Sequence, residues 1–150
     1  MSINKSSILS DQPNQNKKIL KSFNNTKNKA VMSVTQKINS SSEGIIPIKD
    51  VTIELFEDLA PAHVREIKSL INGGYYNDII FHRVVDLGDG FVAQTGDLIR
   101  AGYSITGSIS AEFSSYSYVR GTIGMARGPD PDSATTEFFI TMDDIPRLDK

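Results

Sequence analysis

Two different hydrophobic periods run along the chain from about residue 44 onward. Val51-Thr52-Ile53-Glu54-Leu55 alternates apolar and polar side chains, the signature of a half-buried strand. After Pro61, a favourable first-turn residue, Val64, Ile67, Leu70 and Ile71 fall on one face of a helix, and Gly73-Gly74 gives it a stop. Residues 79–85, 91–95, 122–126 and 137–142 are short apolar runs rich in β-branched or aromatic side chains and read as strands. Residues 97–110 and 128–133, rich in Gly, Ser, Asp and Pro, read as the loops between them. Residues 30–36 read as an earlier strand, with the Ser/Gly-rich stretch 40–44 as a turn. Short strands with one early helix predict a mainly β fold, an antiparallel sheet closing toward a barrel. No repeat period appears.

Composition narrows the chemistry. A length of 150 residues suits one domain with a real core and is short for two. A hydrophobic fraction of 39% with 23% charged residues fits a soluble globular protein. Without cysteine there are no disulfides, no thiolate catalysis and no cysteine-rich zinc site. His63 and His82 are the only histidines, so a histidine metal cluster is not expected either, and no metal or cofactor is implied. His63 is expected near the exposed start of a scaffold helix, without a chemical role. No apolar run is long enough for a membrane-spanning helix, so no membrane partner is expected.

Charge is unevenly spread. Residues 1–42 carry seven lysines against Asp11 alone, a balance of roughly +6, and the remainder sums to roughly −8. This segment is also rich in Asn and Ser and reads as a disordered, solvated extension preceding a domain at 43–150. A targeting segment is the alternative, although it lacks the apolar core of a secretory signal and is lysine- rather than arginine-rich. With Phe23 its only aromatic, no nucleic-acid partner is expected. Missing cysteine and missing secretory signal together suggest a cytoplasmic location.

The candidate chemistry lies in Phe81-His82-Arg83-Val84-Val85 and Phe91-Val92-Ala93-Gln94-Thr95-Gly96-Asp97. They place a guanidinium and a carboxamide on what look like neighbouring strands, among apolar residues. Burying an unpaired charge is costly, so Arg83 needs a partner. One such partner is a neutral amide lying on an apolar floor. A structural ion pair explains Arg83 equally well, and Phe91, Val92 and Phe139 read as ordinary core on pattern alone.

Four segments in order carry a family resemblance: Phe81-His82-Arg83, 91–97, Gly121-Thr122-Ile123-Gly124-Met125-Ala126-Arg127, and Glu137-Phe138-Phe139-Ile140. They resemble the successive motifs of the cyclophilins, which are peptidyl-prolyl cis-trans isomerases. Ile53-Glu54-Leu55-Phe56 with Leu59-Ala60-Pro61 looks like that family's strand-to-helix entry, and Pro131-Asp132-Ser133-Ala134 is closest to bacterial-type members. The resemblance implies an antiparallel cyclophilin-like β-barrel with a capping helix. It implies isomerisation of X–Pro bonds in proline-containing peptides or unfolded chains, by a monomer, with assistance to folding. Arg83 would be the donor to the twisting amide, and Gln94 would hold Arg83 and the substrate backbone. Phe91, Val92, Phe139 and Leu148 match positions that grip the proline ring, and Ala126 and Arg127 match backbone-binding positions. His82 would be framework rather than general base, since the reaction moves no proton.

Three departures from the pattern stand out. Asp86-Leu87-Gly88-Asp89-Gly90 makes the connection before Phe91 three residues longer than usual, and reads as a protruding hairpin loop that leaves both strands in register. Glu137 replaces the usual glutamine, a carboxylate expected to pair with Arg83 or Arg127. Arg147 stands where a tryptophan associated with cyclosporin binding is common, which weighs against cyclosporin binding. The sequence also stops at Lys150, before the family's last strands and second helix, so an incomplete domain is expected. A catalytically weak fragment or a proline-peptide-binding module is therefore the competing reading.

Overall fold

The computed structural model describes residues 2–5, 18–26, 29–37 and 45–149, with side chains described at 29–32 and 50–149. Ten strands and one α-helix follow in the order β1 (Ser2–Lys5), β2 (Lys18–Thr26), β3 (Lys29–Lys37), β4 (Ile45–Glu54), α1 (Pro61–Asn72), β5 (Ile79–Ile80), β6 (Arg83–Asp86), β7 (Phe91–Thr95), β8 (Tyr103–Thr106), β9 (Ile123–Met125) and β10 (Phe138–Thr141). Two short 3-10 turns, Pro131–Ser133 and Pro146–Leu148, flank β10.

Among the described residues all strand pairs are antiparallel, in two four-stranded sheets ordered β4-β3-β2-β5 and β6-β7-β10-β9 and a two-stranded β1-β8 ribbon. Mainly β with antiparallel sheets and a single α-helix is the class the alternating patterns predict. The expected strand 79–85 is divided. Ile79 and Ile80 pair with β2, whereas Arg83 to Asp86 pair with β7, so the chain changes sheets at Phe81-His82. The Thr95 hydroxyl donates to the Ile80 carbonyl at 2.9 Å, satisfying the backbone where the ladder breaks.

Two sequence expectations need correction. Within 1–42, read as a disordered extension, the described residues form β1 and β2 as well as β3, where 30–36 reads as a strand. Composition averaged over a long lysine- and asparagine-rich segment conceals β1, which pairs with β8, and β2, which pairs with β3 and β5. The stretch 97–110, read as a loop, contains β8. Tyr103 and Ile105 alternate there with Ser104 and Thr106, a period-two signal interrupted on either side by Gly102 and Gly107. The expected turn at 40–44 lies outside the described residues.

The helix follows its sequence signals: Pro61 opens it, Gly73 closes it, and Val64, Ile67, Leu70 and Ile71 are buried. Those residues cover the sheet through a core of Ala30, Met32, Ile53, Ile67, Leu70, Ile71, Tyr76, Ile79, Leu98 and Phe138. Phe138 belongs to the second sheet, so one core joins both. Tyr76 stands edge-on to Phe138, with ring centres 5.6 Å apart. Its hydroxyl donates to the Thr136 carbonyl at 2.7 Å, which settles the one polar atom of a buried ring. Burial pushes the Tyr76 phenol well above its ordinary pKa, so it stays neutral.

Candidate active site

The hairpin of β6 and β7 sets the site. Its register pairs Arg83 with Gln94, Val84 with Ala93, Val85 with Val92 and Asp86 with Phe91, so the longer connection leaves both strands aligned. The tip is closed by the Leu87 N–H donating to the Gly90 carbonyl at 2.8 Å and the Gly88 N–H donating to Asp86 Oδ1 at 2.8 Å. Because Arg83 and Gln94 are cross-strand partners, their side chains share a face. Arg83 Nη1 donates to Gln94 Oε1 at 3.0 Å.

On the other side of β7 lies β10, with Phe139 opposite Gln94. The Gln94 carboxamide turns its Nε2 to Glu137 Oε2, 2.7 Å away. His82 Nε2 lies 3.2 Å from the same oxygen, with the His82 side chain 9% exposed and its Nδ1 buried without a hydrogen-bond partner. Glu137 thus meets His82 and Gln94, and neither expected arginine. Arg127 Nη1 instead donates to the Gly128 carbonyl at 3.0 Å, and its guanidinium lies 6.0 Å from the Phe113 ring centre.

These groups open onto a cavity of about 990 Å3. Arg83, Gln94, Val92, Phe139, Ala126, Arg127 and Leu148 all line it, bringing together seven of the eight residues singled out in the sequence. Phe91 does not line it and is 47% exposed. Strand parity accounts for this: Val92 and Gln94 share one face of β7, so Phe91 takes the other. Its backbone remains near the site's edge, its N–H donating to Asp143 Oδ2 at 3.0 Å.

The apolar wall has a member the sequence reading missed. Tyr118 stacks on Phe139, ring centres 5.7 Å apart and planes 26° apart. Its backbone is pinned to the turn that carries Leu148, with its N–H donating to Asp149 Oδ1 at 2.7 Å and its carbonyl accepting from Ile145 at 2.8 Å. Burial, reinforced by the Asp149 charge, raises the Tyr118 phenol. Its residue type was visible, but its place depends on a contact across a long irregular connection. Leu87, in the hairpin tip, is a second missed lining residue, and Arg147 Nε reaches Asp89 Oδ1 in that tip at 2.9 Å.

His63 is not at an exposed start. Its side chain is 14% exposed, and Nδ1 lies 2.7 Å from Glu112 Oε2. Glu112 also accepts from the Ala62 N–H at 2.9 and 3.1 Å and from the His63 N–H at 3.0 Å, capping a helix whose Ala60 supplies no side-chain cap. The pair lines the cavity and reads as framework.

Comparison with known proteins agrees with this architecture. The family model for the cyclophilin type peptidyl-prolyl cis-trans isomerase/CLD matches residues 37–150. A probable peptidyl-prolyl cis-trans isomerase from Brucella suis biovar 1 is 46% identical over 112 residues, spanning 66% of this chain and 56% of that protein. Among solved structures, cyclophilin AquaCyp293 from Hirschia baltica matches with a TM-score of 0.59 and 25% identity, covering 67% of this chain and 56% of that one. A Cryptosporidium parvum cyclophilin type isomerase, crystallised in the presence of the dipeptide Ala-Pro, matches with a TM-score of 0.56 and 29% identity. That match covers 66% of this chain and 65% of the other. The chain belongs to the cyclophilin-type peptidyl-prolyl cis-trans isomerase family. It spans just over half the length of the Brucella relative.

Proposed function

We propose that this chain carries a peptidyl-prolyl cis-trans isomerase site, with proline-containing peptides or unfolded chains as substrate. Planar amide resonance sets a barrier of roughly 18–20 kcal/mol to rotation about the X–Pro bond. As the bond twists, the prolyl nitrogen becomes pyramidal and its lone pair becomes available. A donor aimed at the twisted amide stabilises it more than the planar one, and that difference is catalysis. Arg83 is that donor. No proton is transferred, so the site needs no base or nucleophile, and His82 serves as framework.

The observation that carries this reading is the Arg83–Gln94 hydrogen bond at 3.0 Å above a cavity lined by Val92, Phe139 and Leu148. A guanidinium offers five N–H donors, and the bond to Gln94 orients it while leaving others for a substrate. Phe139 and Tyr118 supply an aromatic floor for a proline ring, and Ala126 and Arg127 lie along the same wall for its flanking backbone. The Ala-Pro dipeptide used with the C. parvum neighbour supports a proline-containing ligand.

A protease-coupled assay on a short X-Pro peptide tests the proposal. Arg83→Ala is expected to lower kcat/KM by about 10²-fold, the order found when one preorganised donor is removed. A folded wild-type protein with no rate above the uncatalysed background would leave a proline-peptide-binding module instead. A wild-type rate that Arg83→Ala does not change would remove Arg83 from the mechanism.

A further inference from the structure

Glu137 is the one charged group inserted among the polar residues behind Arg83, and its contacts form a chain. Its Oε2 accepts from Gln94 Nε2 at 2.7 Å and lies 3.2 Å from His82 Nε2, and Gln94 Oε1 in turn accepts from Arg83 Nη1 at 3.0 Å. We propose that Glu137 is a positioning residue for this site, acting on Arg83 through the Gln94 carboxamide. This rests on the isomerase reading above for its consequence, but not for its geometry.

The physical basis is an asymmetry of donors and acceptors. A carboxamide has one accepting end and one donating end, and rotation by half a turn exchanges them. An ionised carboxylate only accepts, so Glu137 holds the NH2 end of Gln94. A guanidinium only donates, so Arg83 takes the oxygen end. Both neighbours demand the same orientation, and a charge-assisted bond is roughly twice as strong as a neutral one. Removing every acceptor at position 137 leaves the NH2 end of Gln94 without a partner and its carboxamide free to turn away from Arg83.

Titratable groups around Glu137 are few. His82 faces it from the β5–β6 junction, and Arg83 acts on it from β6 through Gln94. From β9, Ile123, Gly124 and Met125 bring none. Tyr76, packed against the adjoining Phe138, is held neutral with its hydroxyl bound to the Thr136 carbonyl.

The test combines kinetics with side-chain NMR on the full chain. Glu137→Met is expected to lower kcat by about tenfold with KM within about threefold, and to add less than a twofold loss in an Arg83→Ala background. Glu137→Gln, which keeps an acceptor, is expected to recover the greater part of that rate. In 15N-edited spectra, the Gln94 NH2 resonances should shift in Glu137→Met and return close to their wild-type positions in Glu137→Gln. Equal losses from Glu137→Met with and without Arg83, or a Glu137→Gln rate no better than that of Glu137→Met, would overturn the proposal. If the wild type shows no isomerase rate, the functional reading fails while the Gln94 resonances still decide the positioning role. Should Glu137→Met not fold, Glu137→Ala takes its place with the same two readouts.

Discussion

At the scale of single residues, two glycines show how neighbours of different stiffness set different outcomes. Gly124 faces Phe139 across β9 and β10, and a Cβ there would come within 2.6 Å of Phe139 Cζ and 2.7 Å of the Tyr118 ring. Both obstacles are side chains of the apolar wall, so Gly124→Ala should push that wall into the cavity. We expect KM to rise at least threefold for an X-Pro peptide, with a stability loss of about 1–3 kcal/mol from overpacking. Gly96 is different. Its φ is +86° and a Cβ would lie 2.5 Å from the Thr136 carbonyl oxygen, a backbone atom held by the Tyr76 hydroxyl. Gly96→Ala should therefore cost at least about 2 kcal/mol with KM unchanged. Urea midpoints and Michaelis curves for the two variants check the contrast, and a KM effect confined to Gly96→Ala would reverse the assignment. Much of the site at this scale was readable beforehand. Arg83 and Gln94 lie on two apolar runs joined by a Gly/Asp turn, so their meeting needed only a hairpin in register. Phe91 differs: strand parity puts it on the face of β7 opposite Val92 and Gln94.

At the scale of elements, the start of α1 depends on a residue far along the chain. Its first N–H groups have no intrahelical acceptor, and Ala60 offers no side-chain oxygen. Glu112 accepts from Ala62 and His63 and adds negative charge at the positive end of the helix dipole. Burial alone would raise the Glu112 carboxyl. The backbone N–H groups of His63 and Ala62, with the His63 ring, outweigh it and hold the group below its ordinary pKa. A carboxyl lowered on folding stabilises the folded state above its unfolded pKa, and the contribution is lost as pH falls through the folded value. Glu112→Gln should therefore cost about 1–2 kcal/mol at neutral pH, the range of a lost helix cap, and progressively less in acid. Urea titrations of both proteins at neutral and acid pH measure the gap, and a gap independent of pH would exclude this role for the charge. Local periodicity identified the helix, its Pro61 start and its Gly73 stop, because those signals lie within a dozen residues. The cap escaped it, since Glu112 is separated from His63 by 49 positions, with the rest of the helix and four strands between them. The same reason hid Tyr118 from the apolar wall. β8 escaped for another reason: its glycine-flanked alternation is only four residues long.

At the scale of the whole molecule, the cavity lies over a core that belongs to both four-stranded sheets. Ala30, Met32, Ile53 and Ile79 come from one sheet, Phe138 from the other, and Ile67, Leu70 and Ile71 from α1. Among the described residues one core cluster draws on both sheets, so the two are expected to unfold together. Leu70 is the sharpest probe, being 1% exposed and central to the helix face. Leu70→Ala removes three carbons from a packed interior and leaves a void, at a cost of about 2–5 kcal/mol. Against a total of about 5–15 kcal/mol for a domain of ordinary size, that is a large fraction, so the melting temperature should fall by several degrees or more. The loss should register equally in both sheets. With no tryptophan present, far-UV circular dichroism can follow the strands, and the near-UV signal of the five tyrosines, which include Tyr76 at the core and Tyr118 at the site wall, can follow the packing. Coincident transitions that shift together in Leu70→Ala are the expected result. Two separated transitions, with only the far-UV signal displaced, would show that β6-β7-β10-β9 holds the Arg83–Gln94–Glu137 chain without support from the helix.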